Sequence, residues 1–341
     1  MKAAVVEGPN QLVVRDVPMP TMGPYDALVR IEACSICNST DRKIVERQFV
    51  TSIPVPLVLG HESVGTIVQV GDRVRHYKLG QRVLRPGAQY DYAKVGIASA
   101  WGGFAQYGLV TDMATLLADQ PDHSINGMWP KQQVIPDDLD PAEATAIITL
   151  KETLYAIRAA GVDRTTRTAI IGTGPVARSF IFWAHWIGVP YLAVLGRNQR
   201  WCQDCLDLGA NSYMVIEDRS AEQPGEKSPW GTFDRVIDAV GSNEALESAL
   251  ALVSPTGLVG NYGVPEEDDA EGLLVRAARE SGRIIRLPVH EEDVHDEVLA
   301  LVERGKVVLS DWISHRLPLD QIQEGFALLA RREATKVVIE L

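Results

Sequence analysis

The chain has 341 residues, of which 46% are hydrophobic and 23% charged, and its formal net charge at pH 7 is −12. This composition is that of a globular protein, and the length predicts two domains. The acidic balance, without a Lys/Arg cluster, argues against a nucleic-acid partner, and no apolar run suits a membrane span or a signal peptide. We therefore expect a cytoplasmic protein with no nucleic-acid or membrane partner.

Residues 1 to about 110 contain short β-type runs separated by Gly and Pro, such as Ala27–Ala33, Ser63–Val70 and Gln81–Leu84. This spacing predicts a barrel-like β domain. Asp119–Pro136 is expected to be a loop. Asp140 followed by Pro141 is a strong helix start signal, and it predicts a helix over Asp140–Ala160.

From Thr168 onward, strands alternate with helices, which predicts a doubly wound parallel sheet and an α/β protein overall. The predicted strands are Thr168–Ile171, Tyr191–Leu195, Phe233–Val240, Gly257–Tyr262 and Arg283–Val289. Pro175–Ile187 and Arg200–Leu208 are the first two predicted helices. The tail, Asp293–Leu341, is predicted to hold two helices, a β segment near Trp312–Leu317 and a last strand, Lys336–Leu341.

A glycine-rich loop joins the first of these strands to its helix, with the spacing G-x-G-x-x-A. Gly172 permits the tight turn, Gly174 lets backbone amides approach a pyrophosphate, and Ala177 keeps the helix close to the sheet. Phosphates bind well at such a helix N-terminus. The segment therefore predicts a dinucleotide site at Gly172, Thr173, Gly174, Pro175, Val176 and Ala177.

Cys37, His61 and Glu152 are candidate metal ligands, because a thiolate, an imidazole and a carboxylate together suit zinc. Each residue alone is more typical of ordinary packing or a solvated helix face, and their combination with the glycine loop changes that interpretation. Only four cysteines occur, as Cys34/Cys37 and Cys202/Cys205. The second pair falls in a predicted helix far along the chain, which argues against a four-cysteine site.

The order of several motifs makes a family resemblance specific. Ala33–Cys37 (ACSIC), Leu59–Glu62 (LGHE), Val68–Val74 (VQVGDRV), Trp101–Tyr107 (WGGFAQY) and Leu150–Leu154 (LKETL) together resemble the medium-chain, zinc-containing alcohol dehydrogenases. The resemblance extends to the closing Lys336–Ile339. It is strongest to the sorbitol, threonine and glucose dehydrogenase branch, in which a Glu replaces one Cys ligand.

This resemblance implies a GroES-like β-barrel catalytic domain at residues 1–150 and 290–341, around a Rossmann domain at 151–289. It places one catalytic zinc on Cys37, His61 and Glu152, with Glu62 bound to the metal directly or through its water. Cys34 is expected to pack nearby. Trp101, Tyr107, Tyr262 and His290 are candidate residues of the substrate pocket or of ordinary packing.

The sequence departs from the family at two points. Arg85–Gly103 contains no cysteine, so the second, structural zinc of the family is expected to be absent. The family also has a hydroxyl two residues past the Cys ligand, followed directly by Asp, whereas this chain has Cys37-Asn-Ser39-Thr40-Asp41. Either Ser39 is the proton-relay hydroxyl, which the spacing slightly favours, or a bulge makes Thr40 and Asp41 the working pair.

We expect a hydride-transferring dehydrogenase of an alcohol, polyol or sugar carbon, acting on a small molecule as a homodimer or homotetramer. The alternatives are a zinc-free reductase of activated double bonds and a non-catalytic dinucleotide-sensing protein. The second strand ends in Gly196, which leaves room for a 2′-phosphate and carries no carboxylate to repel it. Because Arg197 and Arg200 follow, NADP is predicted to be preferred over NAD. The apolar strand Gly257–Tyr262, expected near the sheet edge, is consistent with pairing between subunits.

Overall fold

The computed structural model describes residues 1–124, 128, 130–216, 231–264 and 273–341. The chain divides into two compact units, one formed by Met1–Thr149 with His295–Leu341 and the other by Leu150–Val294. Residues 125–127 and 129 of the expected loop Asp119–Pro136 lie outside the described residues. None of the helices described has both the length and the apolar character that crossing a membrane requires.

The first unit is rich in short strands before residue 149. Within the described residues these are β1 (Lys2–Gly8), β2 (Gln11–Asp16), β3 (Asp26–Ser35), β4 (Leu57–Val58), β5 (Glu62–Val70), β6 (Arg82–Leu84), β7 (Ala98–Ser99), β8 (Tyr107–Thr111) and β9 (Val134–Ile135). Helices in this part are α1 (Thr40–Val45), α2 (Tyr92–Val95), α3 (Met113–Asp119), α4 (Pro141–Ala144) and α5 (Ala146–Ala159), the last of which runs into the second unit.

The predicted helix over Asp140–Ala160 is divided at Thr145. Asp140 caps α4 by accepting a hydrogen bond from the backbone N–H of Glu143, and Pro141 occupies the first turn. The hydroxyl of Thr145 donates to the carbonyl of Ala142 at 2.7 Å. A side chain that bonds to the backbone of the preceding turn competes with the helical pattern and commonly bends a helix. The sequence therefore indicated the start of this helix but not its interruption.

The second unit holds a six-stranded parallel sheet in the order β12-β11-β10-β13-β14-β15. Its strands are β10 (Thr168–Ile171), β11 (Leu192–Gly196), β12 (Ser212–Val215), β13 (Phe233–Asp238), β14 (Val253–Asn261) and β15 (Ile284–Arg286). Its helices are α6 (Pro175–Ile187), α7 (Cys202–Asp207), α8 (Asn243–Leu252) and α9 (Leu273–Glu280). This arrangement confirms the predicted doubly wound parallel sheet.

Two features of this sheet differ from the sequence prediction. β12 was not predicted, because it has only four residues, all partly exposed, and its apolar residues, Tyr213–Val215, form too short a run to assign a strand by pattern alone. The sequence places Gly257–Tyr262 near the sheet edge, but its strand, β14, is hydrogen-bonded on one side to β13 and on the other to β15. Among the described strands, β15 is therefore the outer one on this side of the sheet, and a pairing partner on this side would meet β15 and not β14.

The tail returns to the first unit as α10 (His295–Glu303), β16 (His315–Pro318), α11 (Ile322–Ala330) and β17 (Val337–Glu340). The unit contains a four-stranded sheet, β2-β1-β4-β7, and a seven-stranded sheet, β16-β17-β3-β5-β6-β9, in which β8 also pairs with β3. Buried apolar residues of both chain ends, including Ile36, Phe104, Ile322 and Ile339, form one core cluster. Burial of these side chains holds the two distant segments together.

Candidate functional site

The first unit brings three candidate ligands together where β3 and β5 lie side by side. β3 and β5 are antiparallel, and Ser35 at the end of β3 is paired with Glu62 at the start of β5. Cys37 follows β3 by two residues, and His61 immediately precedes β5. Cys37, His61 and Glu62 each offer one ligand atom, and these atoms lie within 4.8 Å of one another.

His61 is oriented by Asp41, a fully buried residue of α1. Oδ1 of Asp41 lies 3.3 Å from Nδ1 of His61, and its other oxygen, Oδ2, accepts a hydrogen bond from the backbone N–H of Cys37 at 2.9 Å. A carboxylate behind the ring of a ligating histidine fixes the ring orientation and leaves the opposite nitrogen, Nε2, for the metal. Asp41 therefore positions two candidate ligands at once.

The charges around His61 favour its protonated form when no metal is bound. Burial by itself lowers the pKa of His61, but the facing carboxylate of Asp41 and the thiol of Cys37 outweigh it and raise this pKa well above its ordinary value. Nδ1 of His61 and Oδ1 of Asp41 are also buried without a well-aligned hydrogen bond. Both atoms belong to the contact between Asp41 and His61 at 3.3 Å, which leaves Nε2 of His61 as the nitrogen for a metal. A thiolate, an imidazole and carboxylates fit zinc.

Glu62 has protein partners of its own. Its Oε2 accepts from the ammonium of Lys336 and from the hydroxyl of Ser35, and its Oε1 lies 3.5 Å from the hydroxyl of Thr149. Burial raises the pKa of Glu62, but the charge of Lys336 and the nearby His61 lower it to below its ordinary value overall. Glu62 is therefore an ionised carboxylate with several of its lone pairs already used.

Cys34 and Cys37 differ in their surroundings. Cys34 is fully buried in the apolar core. Burial and the neighbouring carboxylates Asp41 and Glu62 raise the pKa of its thiol well above the ordinary value, so that Cys34 remains a neutral thiol. Cys37 is only partly buried and faces His61. Cys37 is the one placed to act as a ligand.

Trp101 lies against His61 in an unusual backbone conformation. The two ring centroids are 5.1 Å apart with an interplanar angle of 54°. Trp101 has a φ of 67°, in the left-handed region that bulky residues rarely adopt. Such conformations cluster at functional sites, where the surrounding structure holds them. Trp101 is half-buried, and it forms an aromatic wall beside the candidate metal ligands.

Glu152 belongs to the second unit, near the start of that unit's sequence. Its Oε2 accepts a hydrogen bond from the hydroxyl of Tyr262 at 3.0 Å, and the ring of Tyr262 packs edge-on against Phe180 at 5.2 Å. The second unit therefore holds this carboxylate in a fixed orientation. Its role as a zinc ligand remains a prediction.

The glycine loop has the backbone that phosphate binding needs. Gly172 has a φ of 118°, and a β-carbon there would lie 3.3 Å from Val240 and 3.4 Å from Ala177. Gly174 is the N-cap of α6, and a β-carbon there would meet no atom within 4 Å. Ala177 is buried, while residues 172–176 are all at least partly exposed. The helix N-terminus thus opens onto free space that suits a pyrophosphate.

The end of β11 corrects one expectation. Gly196 was expected to leave room for a 2′-phosphate, but a β-carbon at this position would overlap the hydroxyl of Tyr213 and lie 2.6 Å from Cγ2 of Thr173. The guanidinium of Arg197 is exposed and lies 3.5 Å from Glu244, and that of Arg200 stacks over the ring of Trp201 at 4.6 Å. The hydroxyl end of Tyr213 therefore occupies the space that a side chain at position 196 would fill.

Known proteins resemble this chain over its whole length. The alcohol dehydrogenase GroES-like domain family matches residues 23–120. A sorbitol dehydrogenase from Bombyx mori is 25% identical over 99% of this chain and 98% of its own length, and an L-idonate 5-dehydrogenase from Vitis vinifera is 28% identical over 99% and 94%. A putative zinc-binding dehydrogenase from Sinorhizobium meliloti, bound to NADP, has 25% sequence identity and a TM-score of 0.77, covering 100% of this chain and 99% of that one.

These comparisons support the resemblance to the medium-chain, zinc-containing alcohol dehydrogenase family. The GroES-like domain match and the similarity to the dehydrogenase structure over the whole chain confirm the predicted GroES-like and Rossmann folds. Sequence reasoning missed three partners of its metal-ligand cluster, namely Lys336, Ser35 and Thr149. Lys336 begins the closing segment quoted for the resemblance, and a lysine preceding an apolar run of β type was the available signal. Tyr213 was missed because its strand was not predicted.

Proposed function

We propose that this protein is a medium-chain dehydrogenase that uses zinc and NADP(H) to interconvert an alcohol, polyol or sugar carbon with the matching carbonyl. The observation that carries the proposal is the meeting of Cys37, His61 and a carboxylate in one cluster, in a chain that also carries an open glycine loop at a helix N-terminus. The sorbitol and L-idonate dehydrogenases that resemble the chain support a substrate with a CH–OH group.

Cys37 and His61 would hold the zinc, with Glu152 as the third protein ligand and Glu62 bound directly or through water. When bound, zinc supplies a Lewis acid that lowers the pKa of a hydroxyl group and polarises a carbonyl. The nicotinamide supplies the hydride acceptor or donor. Asp41 keeps the ring of His61 in the orientation for ligation, and the ring of Trp101 packs against that of His61.

We assign the proton relay to Thr40. The family has a hydroxyl residue directly followed by Asp, and Asp41 is the aspartate that faces His61. This contact supports the bulged alternative, in which Thr40 and Asp41 form the pair, over Ser39. The Oγ1 of Thr40 would take the proton from the substrate hydroxyl and pass it outward.

We propose a preference for NADP over NAD. In NAD-specific folds an acidic residue at the end of the second strand binds the ribose 2′-hydroxyl, and β11 ends here in Gly196. Without that carboxylate a 2′-phosphate is not repelled. Arg197 and Arg200 can supply charge-assisted hydrogen bonds of about 1.5–3 kcal/mol each. The ratio of kcat/KM for NADPH to that for NADH tests the preference, and a parent that favours NADH would refute it.

A metal assay tests the zinc assignment. We expect one zinc per chain, since the cysteines of a second site are missing from Arg85–Gly103, and we expect chelation to abolish turnover. Glu152→Ala should lose the metal, whereas Glu143→Ala, at an exposed salt bridge with Arg316, should retain it. If Glu152→Ala kept its full metal content and Glu62→Gln lost the metal, the third protein ligand would be Glu62 and not Glu152.

Activity that survives metal removal would instead favour a zinc-free reductase of activated double bonds, and no turnover with either cofactor would favour a dinucleotide sensor. A screen of polyols, aldoses, amino alcohols and simple alcohols separates these outcomes. We also propose a homodimer or homotetramer, in which the outer strand β15 is available for pairing. A species of only 37.4 kDa in sedimentation would contradict this.

A further inference from the structure

Position 196 in the second unit is occupied by a glycine for a steric reason. A β-carbon there would overlap the hydroxyl of Tyr213, lie 2.8 Å from Cζ of the same ring and 2.6 Å from Cγ2 of Thr173. Tyr213 lies on β12, which runs parallel to β11 in the sheet. The ring of Tyr213 therefore reaches across from the neighbouring strand into the volume that a side chain at the end of β11 would fill.

The hydroxyl of Tyr213 has a second role in the turn that follows β11. It donates a hydrogen bond to the carbonyl of Asn198 at 2.7 Å. The side chain of Asn198 in turn accepts a hydrogen bond from the backbone N–H of Arg200 at 3.0 Å. Asn198 is thus fixed through both its backbone and its side chain, and it lies between the two arginines.

We propose that Tyr213 is a specificity-determining residue of the dinucleotide site, which excludes a side chain at position 196 and fixes the turn that presents Arg197 and Arg200 to a 2′-phosphate. This inference rests on the proposed NADP preference. An acidic residue introduced at position 196 collides with Tyr213, so a single substitution there does not produce an NAD-specific site. Gly196 and Tyr213 have to change together.

Equilibrium binding of two adenine nucleotides tests the proposal without turnover. Adenosine 2′,5′-bisphosphate carries the 2′-phosphate, and adenosine 5′-monophosphate lacks it. Tyr213→Phe keeps the ring and loses the hydrogen bond to Asn198. It should weaken binding of the bisphosphate about five-fold, as expected for one hydrogen bond, and binding of the monophosphate less than two-fold. The matched control is Tyr191→Phe, whose hydroxyl bonds Ser212 beside the opposite end of β11 and which should change neither affinity.

A double substitution tests the steric half of the proposal. Gly196→Asp alone should weaken both nucleotides, because the new side chain displaces Tyr213. Gly196→Asp with Tyr213→Val, a residue that suits a strand, should bind the monophosphate within about three-fold of the parent and lose the preference for the bisphosphate. The inference would be overturned if Tyr213→Phe lost equal affinity for both nucleotides. It would also be overturned if Gly196→Asp alone bound the monophosphate more tightly than the bisphosphate.

Melting temperatures separate failure of the proposed role of Tyr213 from failure of the proposed NADP preference. Equal affinities of the parent for the two nucleotides would refute the preference itself. In that case, two variants test whether Tyr213 excludes a side chain at position 196. Gly196→Ala should have a lower melting temperature than the parent. Adding Tyr213→Val to Gly196→Ala should raise the melting temperature above that of Gly196→Ala. An unchanged melting temperature in Gly196→Ala would overturn the steric exclusion independently.

Discussion

Glu62 and Lys336, which are 274 residues apart in the chain, form a buried ion pair beside the candidate metal ligands. Glu62 begins β5 and Lys336 directly precedes β17, and both strands pair with β3. The two strands therefore bring the ammonium and the carboxylate to the same place. The pair joins the two ends of the chain at the site.

Removing one partner of this pair should be strongly destabilising. Lys336→Met leaves the carboxylate of Glu62 buried without its countercharge, and such changes cost about 3–5 kcal/mol. The free energy of unfolding from urea titration measures this. Arg331→Met, which removes an exposed salt bridge to Glu324, should cost less than about 1 kcal/mol.

The double variant provides the decisive comparison for the ion pair. Glu62→Gln with Lys336→Met removes both charges, and should recover a large part of the stability lost in Lys336→Met alone. A loss in Lys336→Met no greater than that in Arg331→Met would show that the ion pair contributes little to stability.

Asp41 should control metal affinity through His61 without being a ligand itself. Asp41→Asn keeps the shape but removes the charge that faces Nδ1, and loss of such a partner typically lowers metal affinity by about 10–100-fold. Competition with a chromophoric zinc chelator measures the change. Asp320→Asn, at an exposed position, is the control and should leave the affinity unchanged. Wild-type zinc affinity in Asp41→Asn would refute the positioning role.

The two hydroxyls after Cys37 are separated by their effect on turnover. If Thr40 is the relay, Thr40→Val should lower kcat by about 100-fold or more, as for loss of a positioned proton-transfer group, while zinc content stays at the parent level. Ser39→Ala should keep kcat within a few-fold of the parent. The opposite result would assign the relay to Ser39, in agreement with the simple spacing of the sequence.

Asp112 should make the first unit sensitive to acid. It caps α3 and accepts hydrogen bonds from the backbone N–H groups of Arg75, His76 and Thr115. Burial alone raises the pKa of Asp112, but these donors lower it well below its ordinary value. The folded state therefore favours the ionised form, so its contribution is fully present above the ordinary aspartate pKa of about 3.9 and is lost as the pH falls below it.

Asp112→Asn tests this contribution. It removes the negative charge and replaces one acceptor oxygen by an amide N–H₂ group, which cannot accept hydrogen bonds from the surrounding backbone N–H groups. We expect the free energy of unfolding of Asp112→Asn to be about 2 kcal/mol below that of the parent at pH 7. This difference should become smaller as the pH falls below about 4. Urea unfolding across this range measures it. Asp91→Asn, at the exposed cap of α2, should show little difference from the parent. A loss in Asp112→Asn that is constant with pH would contradict the assignment.

Local patterns predicted much of the second unit. The strand before Gly172, the helix from Pro175 and the loop between them lie where the sequence placed them, because their apolar periodicity and capping residues act over a few neighbours. β12 escaped prediction because it is short and partly exposed. Tyr213 and Val215 favour a strand, but the run is too short for its pattern to decide, and pairing with β11 completes it.

The sequence by itself determined the fold class, the glycine loop, and Cys37 and His61 as candidate ligands, since spacing and residue chemistry carry that information. Only the tertiary structure decided that Lys336 neutralises Glu62, that Asp41 faces His61 and that Tyr213 fills the space above Gly196. These relationships arise where strands distant in sequence become neighbours in a sheet. Their strength depends on burial and charge at that contact, which the order of residues alone does not specify.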